Sequence, residues 1–173
     1  MNDNDSTLIC RLCLELAFLA RKLGVKVVFI ESCSGGLCSS WITSIAGCSS
    51  WFEGGFVTYS NQMKQSVLKI DQKIIDRHGA VSRIVANKMV VSPSLKCFKG
   101  TVSTSVTGIA GPGGGTEEKP VGLVFFGWNG PWGTNIEGKC FSGSRREIQS
   151  KAAFHAINGL SKRIASILKR KFK

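Results

Sequence analysis

The run "VKVVFI", residues 25–30, constrains the fold of this chain more than any other stretch. It is nearly continuous in β-branched and aromatic residues, the pattern of a strand covered on both faces, and such a strand needs helices above and below its sheet. An amphipathic helix precedes it. Leu8, Leu12, Leu16, Leu19 and Leu23 recur at helical spacing from Thr7 to Leu23, and Gly24 follows as a C-cap. After the strand comes the polar turn "ESCSGG", and "LCSSWITSI" then opens as a short helix. A strand, a small polar turn and a helix start together leave backbone N–H groups free to meet an anion or a developing negative charge.

The alternation continues. "WFEGGFVTYS" reads as a strand entered through a glycine pair, "NQMKQSVL" as a short helix, and "SRIVANKMVV" as a longer helix N-capped by Ser82 and ended by Pro93. "TVSTSV" is a second buried strand, and it runs straight into "GIAGPGGG", residues 108–115, where five of eight residues are glycine. "VGLVFFGW" and "NIEGKCF" then form a hairpin through "NGPWG", and a long helix spans about Ser144 to Leu168. This order predicts one domain over residues 1–173, with its core at about 7–168: a three-layer α/β/α sandwich on a mixed, partly parallel sheet.

Composition narrows the function classes. With 43% hydrophobic and 20% charged residues the chain is globular. It has no apolar run long enough for a bilayer, and "MNDNDSTLICR" lacks the order of a signal peptide, so no membrane partner and a cytoplasmic location are expected. Seven scattered cysteines are not a secreted disulfide framework. Cys10 and Cys13, three apart, are expected together on the apolar face of the first helix; no second pair completes a metal set, so neither metal nor cofactor is expected. The net charge of +12 invites nucleic acid, but much of it lies in "SKRIASILKRKFK", interleaved with Ile164, Ile167, Leu168 and Phe172 as on the solvated face of a terminal helix. Nucleic acid is therefore not an expected partner.

Two loops follow two buried strands, and ligands of open α/β sheets bind at the carboxyl ends of strands. Ser32 in the first loop offers a hydroxyl nucleophile, and the glycine stretch offers backbone donors. A base is missing from that set. His78 in "DRHGAV" and His155 in the last helix read as turn and helix-surface residues. "TYSNQMK" supplies another route: Tyr59 ends its strand, Asn61 follows two residues later, and Lys64 stands at five, one turn into the next helix and able to point back. A desolvated lysine loses proton affinity, and a phenol beside an ammonium ionises more easily, so a Ser–Lys–Tyr cluster can deprotonate serine without histidine. A half-buried tyrosine and a surface lysine have the same spacing, and spacing alone favours that plainer reading.

The segments "ESCSGG", "WFEGGFVTYSNQMK", "GAVS", "SVTGIAGPGGGTEEKPVGLVFFG" and "FSGSR", in this order, resemble the C-terminal domain family of CinA, whose stand-alone members are nicotinamide-nucleotide amidases. The resemblance covers roughly Thr7 to Leu168. It implies metal-free and cofactor-free hydrolysis of the carboxamide of nicotinamide mononucleotide to nicotinic acid mononucleotide and ammonia, with Ser32 as nucleophile served by Tyr59 and Lys64. Substrate contacts are implied from Ser34, Gly35, Gly36 and Asn61, and from Thr107, Gly108, Ile109, Ala110, Gly111, Gly113 and Gly114. Glu118 is implied beyond that loop and Arg145 at the phosphate, and the family's habit of association implies a homo-oligomer, a dimer. The sequence departs from the family at Ser34, where threonine is usual, at Ser144 for aspartate, at Gln149 for an arginine, and at Pro93 inside a helix. These touch affinity or specificity more than the Ser–Tyr–Lys set. A non-catalytic member of the same fold, binding a nucleotide or a partner, is the other reading.

Overall fold

In the computed structural model, which describes residues 3–171, the chain runs α1 (Asp3–Leu23), β1 (Lys26–Glu31), α2 (Leu37–Thr43), β2 (Phe52–Val57), α3 (Asn61–Ser66), α4 (Gln72–His78), α5 (Arg83–Val90), β3 (Thr101–Gly108), β4 (Leu123–Gly130), β5 (Gly133–Cys140) and α6 (Arg145–Lys171). Short 3-10 turns lie at Cys48–Ser50 and Pro93–Leu95. The five strands are ordered β2-β1-β3-β4-β5. The first three are parallel, and β4 and β5 extend the sheet as an antiparallel hairpin.

Strand β1 divides the core. Val27 and Phe29 join the cluster filled by α1, α2 and α6, whereas Val28 and Ile30 join the one filled by Leu68, Ile70, Ile75 of α4, and Val85 and Met89 of α5. This is the expected three-layer sandwich around a mixed sheet, and it explains why β1 has no polar alternation.

Strand β3 is buried although it is rich in hydroxyls. Val102 and Val106 face the first cluster. On the opposite face Ser103 donates to the Val90 carbonyl at 2.8 Å, Ser105 to that of Ala86 at 2.8 Å and Thr107 to that of Ala80 at 2.9 Å. These bonds offset the desolvation cost of those three hydroxyls and tie the sheet to α5 and the turn before it, whereas Thr104 Oγ1 is buried without a partner among the described residues. Glycine at 127 leaves room for both β3 and α5: a Cβ there would lie 2.5 Å from Ser105 Oγ, 3.0 Å from Val90 Cγ1 and 3.1 Å from the Ala86 carbonyl oxygen. On the other face Trp128 donates through Nε1 to the Ala156 carbonyl at 2.9 Å, and the Arg163 guanidinium lies 3.8 Å from its ring centroid.

Several local expectations are corrected. Cys10 is exposed while Cys13 is buried, because α1 packs by the side carrying Leu12, Cys13, Leu16, Ala17 and Ala20, and a residue three positions earlier lies at its shoulder. Leu8 is exposed for the same reason. Strand β2 ends at Val57, before the expected "TYS". Helix α4 was not anticipated; it is seven residues long, and Asp71 caps it by accepting from the Lys73 amide. His155 is half-buried among Phe126, Trp128 and Phe141, not on the helix surface, with Nε2 3.1 Å from Glu137. Among the described residues no helix is long and apolar enough to cross a membrane.

Candidate active site

Strands β1 and β2 end level with one another, Glu31 pairing with Val57, and parallel β3 runs two residues beyond its Glu31–Val106 pair, to Gly108. The three segments leaving these ends build the site. From β1, the Ser32 amide donates to the Val106 carbonyl at 2.9 Å, and the chain then turns through Gly35 and Gly36, both at positive φ, into α2. From β2, the Thr58 amide donates to the Glu31 carbonyl at 2.8 Å. Ser60 then caps α3 by accepting from the Met63 amide at 3.1 Å. That cap starts the helix at Asn61 and puts Lys64 one turn in, aimed back at the strand ends.

Lys64 is 1% exposed. Its Nζ lies 2.9 Å from Ser32 Oγ, 2.8 Å from the Thr58 carbonyl and 3.1 Å from the Tyr59 carbonyl. No carboxylate pairs with it among the described residues. Burial therefore pushes the Lys64 ammonium down from 10.5 to about 8. As an ammonium, Nζ can donate to all three oxygens, the two carbonyls and Ser32 Oγ; once neutral it keeps two donors for the carbonyls and has a lone pair for the Ser32 proton. The plainer reading of a surface lysine does not survive.

Tyr59 is 58% exposed, and Lys64 bonds its carbonyl. The phenol oxygen accepts from Arg145 Nη2 at 2.8 Å, while Arg145 Nη1 donates to the Gly111 carbonyl at 2.6 Å. The guanidinium thus joins the glycine loop to the phenol at the mouth of the site.

The glycines after β3 have separate causes. A Cβ at Gly108 would lie 2.7 Å from the Leu123 carbonyl oxygen, and one at Gly115 2.7 Å from the Val121 amide, so both are packed against the start of β4. Gly113 has an ordinary φ and nothing within 4 Å of a built Cβ; the fold does not require it. Among the described residues the amides of Ala110, Gly111, Gly113 and Gly114 donate to no protein acceptor.

Together these segments enclose a cleft of roughly 260 Å³ lined by Ser32, Cys33, Tyr59, Lys64, Ala80, Val81, Thr107, Gly108, Ile109, Ala110, Gly111, Gly113, Gly114 and Arg145. Ser34, Gly35 and Gly36 lie elsewhere, in a neighbouring hollow of roughly 300 Å³ with Arg146 and Gln149. Asn61 and Glu118 are exposed and outside the cleft. Cys33, Ala80 and Val81 line the cleft but were not anticipated; "GAVS" was the sequence signal for the last two. Gln149 donates to the Cys33 carbonyl at 2.9 Å and so touches the turn that carries Ser32.

Glu31 was also missed. It is fully buried, and its carboxylate accepts from Ser34 Oγ at 2.7 Å and from the Gly36 and Cys38 amides, each at 3.1 Å. It further accepts from the Ser39 amide at 2.9 Å and Ser39 Oγ at 2.8 Å. A larger groove of roughly 660 Å³ lies between α1 and α6, lined by residues such as Ile9, Trp41, Phe141 and Phe154, and it shares no lining residue with the cleft. Among the described residues no group of three His, Cys, Asp or Glu is placed to hold a metal ion.

The family model described as the CinA C-terminal domain matches residues 11–164. Over 138 residues the chain is 43% identical to a protein of Escherichia coli K12 named nicotinamide-nucleotide amidohydrolase PncC, covering 79% of this chain and 83% of that protein. The protein of the same name from Enterobacter agglomerans is 42% identical over 147 residues, 84% of this chain and 89% of its own length. Among solved structures, the competence damage-inducible protein A from Klebsiella pneumoniae superposes with a TM-score of 0.86 at 29% identity, over 91% of this chain and 97% of that one.

Proposed function

The chain belongs to the CinA C-terminal domain family, and we propose that it is a serine amidohydrolase that deamidates nicotinamide mononucleotide with Ser32 as nucleophile and Lys64 as base. The observation that carries this reading is the buried Lys64 Nζ, 2.9 Å from Ser32 Oγ and without a carboxylate partner among the described residues. The names of the amidohydrolase relatives support the substrate.

The residues suit each step. The Ser32 hydroxyl gives its proton to the Lys64 lone pair as its oxygen attacks the carboxamide carbon. The oxyanion is met by amides of the Ala110–Gly114 loop, which are free of protein acceptors among the described residues. Collapse of the tetrahedral intermediate breaks the C–N bond, with the Lys64 ammonium returning the proton to the departing nitrogen, and ammonia leaves. Water then attacks the Ser32 ester and loses its proton to Lys64; nicotinic acid mononucleotide leaves and the serine is restored. Arg145 supplies positive charge for the phosphate at the mouth of the cleft, and Tyr59, held by Arg145, orders that same side. No step calls for a metal ion.

The test is ammonia release from nicotinamide mononucleotide by the purified chain. Turnover by wild type and none by Ser32→Ala, with the fold intact, is the expected result. Undiminished release by Ser32→Ala would remove the serine from the mechanism.

A further inference from the structure

A carboxylate taken out of water normally keeps its charge only beside a cation or within a full set of hydrogen-bond donors. Glu31 is 0% exposed and has no cation partner among the described residues. What surrounds it instead are five donors: three amides at the start of α2 and two hydroxyls, three on Oε2 and two on Oε1. Both oxygens are occupied, and neither bonds Ser32 or Lys64. The carboxylate is therefore not a second base.

Its placement gives it another task. The side chain holds residues 34–39, the turn and helix start that immediately follow Ser32. The main chain of the same residue accepts from the Thr58 amide at 2.8 Å, and Thr58 supplies through its own carbonyl a 2.8 Å contact to Lys64 Nζ. One residue thus fixes the nucleophile from one side and a support of the base from the other.

We propose that Glu31 is a positioning residue, whose doubly accepting carboxylate holds Ser32 Oγ in line with Lys64 Nζ. This rests on the reading of Ser32 as nucleophile, and it does not depend on the substrate. Both oxygens matter because glutamine offers only one accepting atom. Its oxygen can serve the Ser34 hydroxyl and the Gly36 and Cys38 amides, and the Ser39 hydroxyl can rotate to accept, but the Ser39 amide then faces the glutamine NH2 with nothing to accept its proton. Relief of that clash moves the turn, and small misplacements of a nucleophile cost on the order of tenfold or more in rate.

The experiment measures the rate at which a fluorophosphonate modifies Ser32, read by mass spectrometry from pH 7 to 10, in parallel with ammonia release. In that reaction the serine oxygen bonds phosphorus, fluoride leaves, and the serine proton passes to Lys64. Glu31→Gln is expected to be modified at least ~10-fold more slowly, with kcat for nicotinamide mononucleotide lowered by a similar factor and KM within about twofold. Its pH inflection is expected to stay near that of wild type, because burial and not Glu31 sets the proton affinity of Lys64. Wild-type modification rates in Glu31→Gln, or a loss confined to KM, overturn the proposal. If Glu31→Gln does not fold, Ser39→Ala, which removes one donor outside the cleft, is expected to slow modification about threefold, and an unchanged rate overturns the proposal. A wild-type chain modified at Ser32 but inactive on nicotinamide mononucleotide would sink the substrate alone and leave the role of Glu31 standing, whereas a wild-type Ser32 that resists modification would sink both.

Discussion

The most informative perturbation is to change pH while keeping the chemistry of residue 64 under control. Lys64 can accept the serine proton only when neutral, and burial sets its midpoint at about 8. At pH 7 about a tenth of the molecules then carry the free amine, at pH 8 about half, and at pH 9 about nine tenths. The rate of ammonia release should therefore rise roughly five- to sixfold from pH 7 to 8, less than twofold from 8 to 9, and then level off. A phosphate second ionisation near pH 6 lies far enough below to appear as a separate inflection. Lys64→Arg keeps a cation of similar reach whose proton stays bound across this range, so it should lose ~10²–10⁴ in kcat and the limb near 8 together. The assay is initial-rate ammonia release from pH 6 to 10 at constant ionic strength, with substrate saturating. A limb near 6.5, a flat profile, or a Lys64→Arg variant within a few-fold of wild type would refute the assignment of Lys64 as proton acceptor.

The same buried lysine predicts a stability trend. Its midpoint is lowered on folding from 10.5 to about 8, so the unfolded chain binds more protons between those values, and the cost of burying the ammonium is fully present below pH 8 and relieved as pH rises towards 10.5. The unfolding free energy of wild type should gain up to ~3 kcal/mol over Lys64→Met across that window in urea titrations, and parallel curves would contradict it. Gly159→Ala would place a Cβ 2.3 Å from Trp128 Cζ2, so it should destabilise by about 1–3 kcal/mol, and a wild-type unfolding midpoint would show that α6 can shift away from the indole. Gly113→Ala has no steric conflict in the fold, so stability should hold within ~0.5 kcal/mol or rise slightly while KM increases; an unchanged KM would mean that substrate does not approach this backbone.

The layering was legible because burial leaves a local imprint. A strand covered on both faces cannot alternate, and β1 and β3 show it; glycine-rich and serine-rich loops after such strands mark the edge where ligands gather. The hairpin was legible from its turn residues and the Ser82 cap from its place before an apolar helix. Helix α4 was not, since seven residues with two adjacent isoleucines make too short a period to register. Cys10 failed for a related reason: a spacing of three says that two residues are neighbours on a helix but not which of them the core will cover.

The pairing of Ser32 with Lys64 shows the boundary most sharply. The sequence by itself determined that Ser32 would directly follow a buried strand and that Lys64 would stand one turn into a short helix, because strand patterns and caps are set by neighbouring residues. It did not determine that the lysine is buried, that its nitrogen meets a serine 32 positions away, or that Glu31 holds the intervening turn. Those depend on how three parallel strands align in one sheet and on how much water the packed helices exclude. Distance between remote segments and desolvation are properties of the assembled fold, and they decide whether a lysine at this spacing is a solvated cation or a base.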